Sequence, residues 1–303
     1  MKKLFYCTFL FAISMLKLNA QTEVLLYDGA IPNSKPTVNK EKSEITDGNL
    51  RISNISVPTY TLYKPVNQSD KRAAIIIFPG GGYSVTSSTK EGVVFAKALN
   101  ELGITAILIK YRMPNDSTMV NKEIGPLQDG QQAILLAREN AEKWNIDPNK
   151  IGILGFSAGG HLAATAGTHY SECVIPNPNH TSVRPDFMVL AYPVISLQDS
   201  LAHMGSRNNL LGKNPTQEKK DLYSNELHVT NQTPPTFLVH SSDDASVKVA
   251  NSILFYQALV AHHVKAEIHT FQNGGHGFGL MNKTSQDKWL DRCKFWMISN
   301  GWL

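Results

Sequence analysis

The stretch "ILGFSAGGHLAA", residues 153–164, decides how the rest of the chain is to be understood. Within it Gly155-Phe156-Ser157-Ala158-Gly159 fits the G-x-S-x-G template, in which a serine stands on a sharp turn between a strand and a helix. Five residues of this kind recur by chance, so the neighbours carry the argument. Upstream, "KIGIL" predicts a strand over 150–154. Downstream, residues 158–167 are small and helical. Ser157 therefore has the strand–turn–helix context the template requires. Gly155 and Gly159 allow a tight turn and close helix–strand packing. The helix N-terminus sets partial positive charge beside the hydroxyl.

The same alternation extends outward. Short β-branched or apolar runs predict strands at 73–78 ("AAIIIF"), 105–110 ("TAILIK"), 187–192 ("FMVLAY"), 236–240 ("TFLVH") and 266–271 ("AEIHTF"). Between them lie helical patterns. One covers 91–102, with Val94, Ala98 and Leu102 on a face. Another opens at Pro126 and continues through Ala133, Ala137, Ala141 and Trp144. Others cover 246–262 and 286–298. Strand and helix in turn imply an α/β fold, a mostly parallel central sheet with helices on both faces. Residues 21–56 are polar and turn-rich, an N-terminal arm. Residues 57–303 form the α/β domain, with a short irregular insertion at about 196–233 lying over the strand ends.

In such a sheet the loops at the carboxyl ends of strands build the site. A serine hydroxyl needs a base to take its proton. "GGHGFG" follows one late strand and supplies His276. "VHSSDDASV" follows the strand before it and supplies Asp243 or Asp244 to orient that histidine. "FPGGGY", residues 78–83, follows the first strongly apolar strand. Its glycines let backbone N–H groups approach a developing oxyanion. Gly81 and Gly82 are the candidate donors, with the amide of Ala158 as the further one.

These motifs carry a resemblance. The stretches "IIIFPGGGY", "GPLQDGQQAILLAREN", "NIDPNKIGILGFSAGGHLAA", "TPPTFLVHSSDDASV" and "GGHGFGL" resemble an α/β-hydrolase-fold esterase of the hormone-sensitive-lipase-like and acetyl-esterase group. More narrowly, the chain is similar to secreted bacterial acetylxylan esterases. Phe-Pro stands where many relatives carry the histidine of an HGGG motif. The resemblance implies a Ser157–Asp244–His276 triad. It selects Asp244 over Asp243, because the acid lies four residues after the strand-end His240 and three before Val247. It also implies an acylated carbohydrate or small ester as the partner, acetylated plant polysaccharide or its oligosaccharides first. A feruloyl esterase or a general short-chain carboxylesterase is the alternative within the class. A serine peptidase or a non-enzymatic binding member of the fold is more distant. The former usually adds a large gating domain; the latter usually loses a triad residue or a glycine of the oxyanion loop.

Tyr83, Tyr192 and Phe278 flank the motif loops and are candidates to line the acyl or sugar site, or to pack. His161, one helical turn beyond Ser157, runs away from the turn and is structural. His262 and His263 end a helix. With neither C-x-x-C nor H-E-x-x-H, no metal site or cofactor is signalled. Cys173 and Cys293 are far apart, with pairing open. Sequons at Asn67 and Asn231 matter only in a glycosylating host.

The chain has 303 residues, 42% hydrophobic and 18% charged, an ordinary globular composition, and it shows no heptads and no periodic repeat, which argues against coiled coils and solenoids. Residues 1–20 read as a secretory signal peptide cleaved near Ala20: Lys2 and Lys3, an apolar run, then a small residue. The run is short for a bilayer span, and Cys7 lies early for a lipid acceptor. Export places the chain outside the cell or in the periplasm. Lys2, Lys3 and Lys17 account for three of 29 basic residues and leave 26 against 25 acids, so the mature charge is +1. That balance, with no basic stripe, argues against nucleic acid.

Overall fold

The computed structural model describes residues 22–66 and 70–303. The expected signal peptide, Cys7 and the Asn67 sequon lie outside the described residues. An eight-stranded sheet runs in the spatial order β1 (Glu23–Leu25), β4 (Thr59–Tyr63), β7 (Thr105–Lys110), β5 (Arg72–Phe78), β8 (Ile146–Phe156), β9 (Phe187–Ala191), β10 (Thr236–Ser241) and β11 (Ala266–Phe271). β4 pairs antiparallel with β1 and β7; all other neighbours are parallel. A second, antiparallel sheet joins β2 (Lys42–Thr46), β3 (Asn49–Ser53) and β6 (Val85–Ser87).

β5 shows why the apolar run is continuous. Ala74, Ile76 and Phe78 face one core, with Ile134, Leu162 and Phe255. Ala73, Ile75 and Ile77 face the other, with Phe95 and Trp289. A strand covered on both faces has no solvent side to be polar. The helices are α1 (Val94–Glu101), α2 (Gly125–Glu139), α3 (Ala141–Trp144), α4 (Ser157–Thr168), α5 (Met204–Leu211), α6 (Gln217–Leu222), α7 (Ala250–Ala261) and α8 (Trp289–Ser299).

Several expectations need correction. The first helix buries Phe95, Ala96 and Leu99, while Val94 is 37% exposed. The residues just before it, Thr89–Val93, are wound as a π-helix. The helix beginning near Pro126 breaks at Asn140. α7 starts four residues late because Asp244 takes the N–H groups of Ser246 and Val247. α8 starts late because Asn282 and Ser285 side chains hold the N–H groups of Thr284 and Asp287 in turns. The 196–233 segment is not irregular throughout. It holds α5 and α6, whose N-caps His203 and Thr216 accept the N–H groups of Ser206 and Lys219. The N-terminal arm contributes β1, β2 and β3. Cys173 and Cys293 are both free thiols.

Candidate active site

Ser157 opens α4 directly after β8, with φ at +51°, a left-handed conformation that costs a side-chain-bearing residue energy. The glycines around it explain how the turn is held. A Cβ on Gly155 would come 2.3 Å from the Gly159 carbonyl oxygen, and one on Gly159 would come 2.1 Å from that of Phe78. Only glycine lets α4 press this closely onto β8 and β5.

Loops after three strands converge on the serine. The Ser157 Oγ lies 2.9 Å from His276 Nε2, and His276 Nδ1 lies 2.7 Å from Asp244 Oδ2. An Nδ1–H donating to the carboxylate leaves Nε2 free to accept the serine proton. Asp244 is further held by the N–H groups of Ser246 and Val247 and by His240, 3.2 Å away. Burial works against its charge. The hydrogen bonds from His240, His276 and Val247, with the nearby His276 charge, outweigh burial and hold the carboxyl well below its ordinary value. Asp243 acts on a different loop. Its Oδ1 accepts the Gly275 N–H at 2.8 Å, tying down the segment that carries His276.

Gly81, Gly82, Ser157, His276, His203 and Asn209 line one cavity of about 530 Å³. Gly81 (φ +133°) and Gly82 (φ +66°) adopt conformations suited to glycine, and a Cβ on Gly81 would strike the Val85 carbonyl at 2.1 Å. The loop's own hydrogen bonds use their carbonyls: Gly81 O accepts the Val85 N–H, and Gly82 O accepts from Asn209 Nδ2. Gly80 is different. Its N–H donates to Glu91 Oε2 at 2.8 Å and is committed to the protein. Ala158, at the N-terminus of α4, follows Ser157 and is fully buried.

The three aromatic candidates separate. Tyr192 is 0% exposed; its hydroxyl donates to Glu91 and its ring packs on His276 from behind, 5.2 Å between centroids. Tyr83 is buried, with its hydroxyl on His161 Nδ1. Neither lines the Ser157 cavity, because each spends its hydroxyl inside the fold. Phe278 is half-buried against Tyr192 and lines an adjoining cavity with His276 and Gly277. His161 is buried: Nε2–H donates to the Tyr223 carbonyl, and Nδ1 accepts from Tyr83.

Sequence reasoning missed several groups. Glu91 is one; it lies four residues before Phe95, on the buried face, and that spacing was the available signal. Burial raises its carboxyl above the ordinary value, against hydrogen bonds from Tyr192 and Gly80. His203 is another. Its Nδ1 accepts the Ser206 N–H, so Nε2 carries the proton. Burial, together with the charge of His276, lowers its proton affinity. Asn49, Arg51, Ser87 and Lys90 complete the cavity wall. Strand pairing brings Asn49, Arg51 and Ser87 there, Lys90 follows on the π-helical turn, and no local motif marks them. Among the described residues no cluster of three or more His, Cys, Asp or Glu side chains could hold a metal ion. Nor is any described helix long and apolar enough to cross a membrane.

Residues 61–259 match the BD-FAE family. The chain is 39% identical to an acetyl ester-xyloside bifunctional hydrolase from Caldicellulosiruptor lactoaceticus of solved structure. That likeness has a TM-score of 0.80 and covers 93% of this chain and 97% of the other. It is 35% identical to an acetylxylan esterase from Xylanibacter ruminicola, over 76% of this chain and 46% of that protein. It is also 35% identical to endo-1,4-beta-xylanase B from Butyrivibrio fibrisolvens, over 74% of this chain and 35% of that protein. The chain thus spans less than half the length of these two relatives.

Proposed function

The chain belongs to the BD-FAE family of α/β-hydrolases, and on that premise we propose that it is an exported serine esterase removing acetyl groups from plant polysaccharide or oligosaccharides, acetylated xylan first. One observation carries the chemistry: the Ser157–His276–Asp244 relay, with contacts of 2.9 and 2.7 Å, opening on a solvent-reached cavity. In the first step His276 Nε2 takes the Ser157 proton as Oγ attacks the ester carbonyl carbon. The carbonyl oxygen becomes an oxyanion facing the N–H groups of Gly81, Gly82 and Ala158. Asp244 stabilises the imidazolium. As the tetrahedral intermediate collapses, His276 returns the proton to the leaving sugar oxygen. The acetyl group stays on Ser157. Water, deprotonated by His276, then releases acetate by the reverse sequence.

The substrate class draws support from the acetylxylan esterase and the acetyl ester-xyloside hydrolase that the chain resembles. Residues 1–20 serve as the export signal, and 57–303 as the esterase domain with the 196–233 insertion. The test is an activity panel on the purified protein. Acetate release from acetylated xylan supports the reading. Cleavage of methyl ferulate with no acetate from acetylated xylan replaces it with a feruloyl esterase. The exported protein should begin at Gln21 by intact mass.

A further inference from the structure

The wall of the Ser157 cavity is the face of a small sheet. Asn49 and Arg51 alternate on β3; Val85 and Ser87 alternate on β6; all four line the cavity. Arg51 stands opposite Ser87 in register. The patch is tied together from within. Asn49 Nδ2 donates to Ser87 Oγ at 3.0 Å, Asn49 Oδ1 accepts the Lys90 N–H at 3.0 Å, and Thr89 Oγ1 accepts the Leu50 N–H at 3.0 Å. Arg51 and Lys90 are therefore carried on one rigid support beside the nucleophile, and both are exposed.

Neither makes an ion pair among the described residues. Glu44 lies opposite Arg51 on β2, on the other side of β3 from Ser87. Its Oε1 accepts the Thr46 hydroxyl, and it does not line the cavity. The one carboxylate in the lining is Glu91, whose two oxygens already accept from Gly80 and Tyr192. The open part of the site thus presents two cations and no free anion. A neutral sugar ester requires neither. A guanidinium matches a planar carboxylate with two parallel hydrogen bonds, and an ammonium adds a point charge.

We propose that Arg51, seconded by Lys90, is a specificity-determining residue that selects saccharide esters bearing a carboxylate, as on a uronic-acid branch, next to the acyl group. This rests on the esterase reading of the same site. The test compares kcat/KM for acetate release from two probes: acetylated xylo-oligosaccharides carrying a uronic-acid branch, and the same oligosaccharides without it. The wild-type ratio of acidic to neutral probe is expected to be about threefold or more at low salt and to fall toward one as salt screens the contact. R51Q brings the ratio to about one, R51E takes it below one, and K90Q lowers it in part. A wild-type ratio of one or less overturns the proposal, as does a ratio that R51Q and R51E leave unchanged. The esterase reading fails separately: no acetate from either probe sinks both, whereas equal release from both sinks the selectivity alone.

Discussion

The hydroxyl of Tyr192 donates to Glu91 Oε1 at 2.9 Å. The other oxygen of Glu91 holds the Gly80 N–H. One buried carboxylate thus joins the glycine loop to the ring that backs His276. E91A would leave two buried donors unpaired. It is expected to cost about 2–4 kcal/mol of stability and to lower kcat on p-nitrophenyl acetate. E91Q keeps the size and one acceptor, and the Tyr192 hydroxyl can turn to accept from its amide, so its losses should be smaller. Urea unfolding and steady-state kinetics check both. Equal behaviour of E91A and wild type would show that Glu91 braces nothing.

Asp244 couples the site to acid stability. Its folded pKa lies below the ordinary carboxylate value of 3.8. The unfolded state therefore takes up the proton first as pH falls. The stability it contributes is complete above the ordinary value and drains away as pH falls below it. D244N should be less stable than wild type at neutral pH, with a gap in chemical denaturation that narrows as pH falls below 3.8. The same variant should lower kcat by about 10⁴-fold. A gap constant with pH would contradict the assignment of Asp244 as the charged partner.

His161 acts in the same direction but in a higher pH window. Burial pushes its pKa from the usual 6.5 down to about 4. Between those values the unfolded chain binds a proton that the folded chain refuses, so stability falls as pH drops from 6.5 toward 4. The slope from this group approaches about 1.4 kcal/mol per pH unit. H161Q, which can keep a donor toward the Tyr223 carbonyl and an acceptor toward Tyr83, should flatten that slope. An unchanged slope would assign it to other histidines whose proton affinity is lowered, the half-buried His169 among them.

The parallel sheet was legible because burial on both faces leaves a plain mark: Ile75, Ile76 and Ile77 are apolar in sequence, whichever core each joins. The convergence of Ser157, Asp244 and His276 was legible because each follows a strand and sits beside glycine or a turn residue. The arm was not. Arg51 reaches the cavity only through β3–β6 pairing, a contact across some 36 residues that leaves no local trace. The phase of α1 was legible but set one residue off: Phe95 and Leu99, four residues apart, mark the buried face, and Val94 stands beside it. For Tyr83 and Tyr192 lining and packing stayed open together, because adjacency to a motif says nothing of where a hydroxyl finds its partner; the structure places both hydroxyls inside the fold.

Gly159 tests the packing behind the turn. An added methyl would meet two backbone carbonyls, at 2.1 and 2.5 Å, neither of which is a flexible side-chain end. G159A is expected to lose about 1–3 kcal/mol or more and to lower the melting temperature, along with activity. A variant that melts like wild type would show that α4 does not need its close approach to β5.

The esterase reading stands or falls on Ser157. The direct measurement is acetate release from acetylated xylan by purified wild type and S157A, with circular dichroism to show that both are folded. Loss of activity by about 10⁴-fold or more in a folded S157A is the expected result. Retained activity in that folded variant would contradict it and move the chemistry away from the turn between β8 and α4.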